Sequence, residues 1–181
     1  MLAFKVIISL ILLAVALLAA IFYSLTLIYN IILSAPFLSS NRRSIRIILE
    51  KIDLSDKKYF YELGSGRGRV VAQIAKKYPQ LKCYGVELNR VAYLLAKGNN
   101  LFLKNKVKYL RQNLFKTDLS SADVVFTYLF PKPMVKLEPK FERELKPGAI
   151  LISSTFKLSN KQPAEVYKGK GSLSTIYLYQ Y

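Results

Sequence analysis

The residues best suited to chemistry in this chain lie between Tyr61 and Glu87. Tyr61-Glu62-Leu63 runs directly into Gly64-Ser65-Gly66-Arg67-Gly68-Arg69. That run predicts the end of a buried strand, a tight turn and a helix start, with the glycines letting a ligand approach the backbone. Glu87 is an isolated acid at the end of the next predicted strand. A carboxylate there has two acceptor oxygens and can take hydrogen bonds from both hydroxyls of a ribose. Glu62, just before the turn, can face a cationic amine. A ribose, a cationic amine and a glycine-lined turn together describe S-adenosylmethionine (SAM), and the spacing of the two acids suits it.

The alternatives to that ligand fit less well. A dinucleotide fingerprint wants Gly or Ala where Arg69 stands, and no Gly-Lys-Ser/Thr closes a phosphate loop. Asn113 follows the third predicted strand, at the level of an adenine amino group, with the Leu114 backbone and Phe115 beside the ring. The candidate cofactor residues are therefore Glu62, Gly64, Ser65, Gly66, Gly68, Glu87, Asn113 and Leu114. Tyr128-Leu129-Phe130-Pro131 leaves the fourth strand beside the expected methyl group. Tyr128, Phe130 and Pro131 are the candidates there, as an aromatic wall or a carbonyl acceptor for the nucleophile. Each has a plainer reading as a turn glycine, a helix cap, a turn asparagine or core packing.

The elements that must hold these residues alternate in type. Ser44–Ile52 carries a helical stripe. Lys58–Leu63, Cys83–Glu87, Val107–Leu110, Ala122–Leu129 and Ala149–Phe156 read as strands. Arg69–Tyr78 and Arg90–Lys104 read as helices, the second with Val91, Leu94, Leu95 and Leu101 facing inward. A further helix starts near Pro133, where a missing N–H costs nothing. Its inner stripe is Leu137, Phe141 and Leu145, and Lys146-Pro147-Gly148 ends it. Two last strands form a hairpin around Lys168–Ser172. The pattern predicts a mainly parallel, Rossmann-like α/β sheet with ligands at the carboxyl ends of its strands.

Composition narrows the chemistry. The 181 residues carry a net charge of +17 and no histidine, and Cys83 is the only cysteine. Imidazole bases, Ser-His-Asp triads, intrachain disulfides and cysteine-based metal clusters are thereby excluded, and no metal site is expected. Methyl transfer from a sulfonium suits such a chain, because the donor is already activated and needs mainly positioning. The positive charge is expected to meet an anionic lipid surface rather than nucleic acid.

The N-terminus explains that preference. No charged residue lies between Lys5 and Arg42, and Val6–Ile28 is almost wholly apolar. That is long enough for a membrane-spanning helix and too long for the apolar core of a signal peptide. Arg42, Arg43, Arg46 and Lys51 follow it, so the positive-inside rule puts the rest on the cytoplasmic or matrix side. Residues 1–40 thus read as a transmembrane anchor with an interfacial segment, and 41–181 as one SAM-dependent methyltransferase domain.

With these residues in hand, the chain resembles the membrane-anchored protein-lysine methyltransferases that act on the adenine nucleotide translocase and the ATP synthase c-subunit. The likeness covers the apolar N-terminus, Pro36-Phe37-Leu38-Ser39-Ser40, Glu62–Arg69, Gly85-Val86-Glu87-Leu88-Asn89, Asn113-Leu114-Phe115 and Leu137–Phe156. It implies a seven-stranded class I methyltransferase sheet, SAM as donor and lysines of membrane proteins as acceptors. Glu62 and Asn113 stand where that family usually has Asp. Arg67 replaces a turn Asp, where a guanidinium can pair with the cofactor's carboxylate. The rival expectations are a lipid, quinone or RNA acceptor, or a SAM-binding assembly factor without turnover.

Overall fold

The computed structural model describes residues 2–32, 42–102, 106–169 and 174–181. The chain divides into two units, Met1–Leu38 and Ser39–Tyr181. The described residues of the first form one helix, α1 (Leu2–Ile32). Within it Val6–Thr26 has a mean hydropathy of 3.0 and is long and apolar enough to cross a membrane. Leucine and isoleucine side chains are exposed all round it.

The second unit is an α/β sheet of seven strands. In chain order it contains α2 (Arg42–Lys51), β1 (Tyr59–Leu63), α3 (Arg69–Lys77), β2 (Lys82–Val86), α4 (Arg90–Phe102), β3 (Val107–Leu110), a 3-10 turn (Leu114–Lys116), β4 (Val124–Thr127), α5 (Pro131–Glu144), β5 (Ile150–Ser154), β6 (Glu165–Tyr167) and β7 (Ile176–Gln180). The strand order is β3-β2-β1-β4-β5-β7-β6. β1 to β5 are parallel, and β7 runs antiparallel to both β5 and β6. The topology is that of the predicted methyltransferase sheet. The hairpin is present, although part of its predicted turn at Lys168–Ser172 lies outside the described residues.

Alternation along β1 builds two cores. Phe60 faces the layer holding Ile45, Ile48, Val70, Ile74 and Ala96, whereas Tyr61 and Leu63 face Met134, Leu137 and Phe141. Successive strand residues point to opposite faces, so Glu62 falls on the α3 side. β4 is buried at all four positions, as a central parallel strand covered on both faces must be.

Some expectations need correction. α5 begins at Pro131, two residues earlier than predicted, and β4 and β5 are shorter at both ends. The larger correction concerns α4. Val91, Leu94, Leu95 and Leu101 are exposed, and the buried face is Ala92 and Ala96. Asn89 sets the helix phase by accepting from the Val91 and Ala92 N–H groups at 2.9 and 3.0 Å. One turn beyond Ala96, the Asn100 amide donates to the Val107 carbonyl at 3.0 Å. Small residues at 92 and 96 bring the helix close to the sheet, and the larger aliphatics are turned outward.

Candidate active site

The parallel register sets Leu63, Val86, Leu110, Thr127 and Ser153 side by side across the sheet. The residues that follow them form its carboxyl lip, so Gly64, Glu87 and Tyr128 come from three strands to one edge. Asn113 lies three residues past the end of β3. The Glu87 N–H donates to the Leu110 carbonyl at 3.0 Å, joining the β2 and β3 ends of that lip.

The glycine turn is built by backbone bonds. The Gly64 and Ser65 N–H groups both donate to the Val86 carbonyl at 2.9 Å, and the Gly68 N–H donates to the Ser65 carbonyl at 2.7 Å. Gly68 has φ 73°, and a Cβ there would collide with the Tyr109 hydroxyl. Gly66 has φ 53°, but a Cβ there would meet nothing within 4 Å. Packing against the protein therefore requires glycine at 68, whereas position 66 faces open space. A Cβ at Gly64 would lie 2.9 Å from Leu129 Cδ2.

Glu87 is tied to this turn and Glu62 to the helix that follows it. Glu87 accepts from the Gly66 N–H through Oε2 at 2.9 Å and from the Asn89 N–H through Oε1 at 2.7 Å. Glu62 is buried, and its Oε2 accepts from the Val71 N–H, in the first turn of α3, at 2.8 Å. Burial pushes the Glu62 carboxyl up to about 8; the Val71 bond opposes that shift, and the nearby Glu87 charge adds to it. A buried acid held neutral is poised to ionise when a cation arrives. Ser65 Oγ is buried and has no hydrogen-bond partner among the described residues, a costly state that a ligand can relieve. Open space at Gly66, an unpartnered Ser65 hydroxyl and two acids at the lip fit SAM.

Asn113 is committed locally: its Oδ1 accepts from the Phe115 N–H at 3.0 Å and caps the 3-10 turn. Its amide group and the oxygen's second lone pair remain for a ligand. Leu114 is half-buried beside it, and Phe115 is exposed.

The β4 side divides in two. Tyr128 packs against the core on the α3 side. Phe130 caps α5 and sets its ring 5.8 Å from that of Phe156, tilted by 42°. Pro131 is the first residue of α5. The turn after β5 presents Phe156. Thr155 has φ 71°, unique for a non-glycine among the described residues, and such strain clusters at functional sites. The Phe156 N–H donates to the Ser154 carbonyl at 2.9 Å, and Ser153 Oγ donates to the Phe156 carbonyl at 2.5 Å. Sequence reasoning missed Phe156 by placing it inside the fifth strand. It also missed Thr127, whose buried hydroxyl lacks a partner among the described residues, and Tyr109. The Ser153-Ser154-Thr155 run was the available signal for a turn. The Pro36–Ser40 segment lies outside the described residues.

The sequence profile of the ANTKMT methyltransferase domain matches residues 62–165. A protein-lysine N-methyltransferase of Saccharolobus islandicus is 33% identical, over 80% of this chain and 92% of that protein. The adenine nucleotide translocase lysine N-methyltransferase of Mus musculus is 30% identical over 77% of this chain, and the match covers 61% of that protein's length. Among solved structures, an RNA methyltransferase from Salinibacter ruber in complex with S-adenosyl-L-homocysteine superposes with a TM-score of 0.71 at 27% identity, covering 79% of this chain and 93% of that one.

Proposed function

This chain belongs to the ANTKMT methyltransferase-domain family and uses SAM, and from that premise we propose that it methylates lysine side chains of membrane proteins. Residues 1–40 anchor it in the bilayer, and residues 41–181 form the methyltransferase domain on the cytoplasmic or matrix side. The observation that carries the reading is the hydrogen bonding of Glu87 to the glycine turn at Gly66 and of Glu62 to the first turn of the helix that follows, with open space at Gly66. The lysine acceptor is supported by the relatives from Saccharolobus islandicus and mouse. The membrane setting is supported by the apolar helix Val6–Thr26.

When bound, SAM supplies a methyl group on a sulfonium, already activated for displacement. Glu87 would accept from the ribose hydroxyls while the Gly66 and Asn89 N–H groups hold its two oxygens in place. Glu62 would oppose the cationic amine. The backbone of Gly64 to Gly68 would line the approach, Ser65 Oγ would gain a partner, and Asn113 with Leu114 would border the adenine. Phe130, at the start of α5 with Pro131, and Tyr128, from the end of β4, would wall the acceptor side.

The acceptor must arrive as a neutral amine, although its ordinary pKa is about 10.4. Apolar surroundings disfavour the ammonium form, and Phe130 and Phe156 provide them. With no histidine in the chain, the proton leaves to water, directly or through Tyr128, while a backbone carbonyl can orient the amine by accepting its hydrogen bond.

Membranes lacking the protein, incubated with the purified chain and radiolabelled SAM, test the proposal. Label should enter protein bands and map to methylated lysine by mass spectrometry. Label in the lipid or RNA extract, or no label at all, would overturn it.

A further inference from the structure

The outward face of α4 has no role in the site. Leu88 is 63% exposed, Val91 42%, Leu94 55%, Leu95 42% and Leu101 78%. At spacings of three, four and seven residues Val91, Leu94, Leu95 and Leu101 form one aliphatic stripe along the helix, and Leu88 precedes it in the loop. Leu88, next to Glu87 in the loop before the helix, adds an exposed aliphatic side chain at the carboxyl lip of the sheet. From Leu88 to Thr117 the chain holds no acid, while Arg90, Lys97, Arg111 and Lys116 are exposed.

We propose that this face of α4 lies on an anionic lipid surface and holds the lip of the crevice against it. The proposal rests on the membrane-held methyltransferase reading above and adds which side of the domain meets the bilayer. An aliphatic stripe on a convex helix, flanked by bases, has the design of an interfacial helix, whose apolar side sinks to the acyl boundary while its bases meet headgroups. A second copy of the chain suits it poorly, because its own bases would be brought together. Chain continuity supplies the occupant: a domain tethered by a membrane-spanning segment stays within reach of a lipid surface. Leu88 on that surface brings Glu87 and the glycine turn to the level at which lysines of membrane proteins emerge from lipid.

Spin labels on the full chain, reconstituted in phosphatidylserine-containing vesicles, test this. Labels are placed at Leu94→Cys and Leu101→Cys, with Lys136→Cys on α5 as the reference. Cys83 is buried, with its thiol pushed up to about 12, and stays unlabelled. Labels at 94 and 101 should become accessible to oxygen and shielded from a water-soluble nickel complex. The label at 136 should remain open to nickel, and the difference should shrink in zwitterionic vesicles. The paired variant Leu94→Asp/Leu101→Asp should lower methylation of bilayer-embedded acceptors about tenfold with SAM affinity unchanged. The proposal is overturned if 94 and 101 stay as open to nickel as 136. It also fails if spin–spin broadening appears whatever the lipid, or if the labels are immobilised only when an acceptor protein is added. Carbonate-resistant retention and methyl transfer, measured in the same vesicles, test the underlying reading separately.

Discussion

The Gly66 N–H donates to Glu87 Oε2 at 2.9 Å, so the glycine turn and the second acid act as one structural piece. Replacing Glu87 therefore removes a proposed ribose acceptor and loosens the turn together. Hydrogen bonds to a charged group are worth about 1.5–3 kcal/mol each. Glu87→Ala should weaken SAM binding at least about 100-fold by titration calorimetry. Undiminished affinity would refute the ribose assignment.

Glu62 should make SAM binding depend on pH. Its folded value is raised to about 8, so from about pH 5 to 8 the folded protein keeps a proton that the unfolded chain has released. Stability of the ligand-free protein is full below that window and falls as pH rises through it. A cationic amine facing Glu62 favours the carboxylate, so binding below pH 8 should release a proton and affinity should rise toward pH 8. Calorimetry in buffers of different ionisation enthalpy would count that proton. Glu62→Gln keeps an acceptor for the Val71 N–H and should abolish the release.

Two glycines should separate stability from binding. Gly68→Ala combines left-handed strain with a Cβ placed against Tyr109, a loss of about 2–5 kcal/mol seen as a lower Tm. Gly66→Ala carries only the strain, about 1–2 kcal/mol. Its methyl group enters the space left for the ligand, so SAM affinity should drop by more than the loss of stability explains. Equal affinity in wild type and Gly66→Ala would move the ligand elsewhere.

Phe156 should matter to the acceptor and not to the cofactor. Its packing on Phe130 is worth about 0.5–1.5 kcal/mol. Phe156→Ala is expected to lower kcat/KM for a lysine substrate about three- to tenfold while leaving the SAM Kd in place. A matching loss of SAM affinity would place the pair at the cofactor instead.

Much of this architecture could be read before any coordinates. The strand, turn and helix around Glu62 were legible because glycine spacing and an isolated acid are local signals. β3 matches its predicted range, and the other strands differ mainly at their ends, where propensity is weakest. The α4 face was not legible. That helix carries an alanine stripe at Ala92 and Ala96 and an aliphatic stripe at Val91, Leu94, Leu95 and Leu101. Periodicity detects both and cannot rank them. Close approach to the sheet favours the smaller residues, and that contact is made only in the folded domain.

Residue order alone established the apolar N-terminal helix, the alternating α/β pattern and the two acids bracketing a glycine turn. Each follows from composition or short-range spacing. Tertiary packing decided that Glu62 lies against the first turn of α3 and that Phe156 meets Phe130. Those outcomes depend on strands far apart in the chain coming into register, so that burial and hydrogen-bond partners are assigned only when the sheet closes.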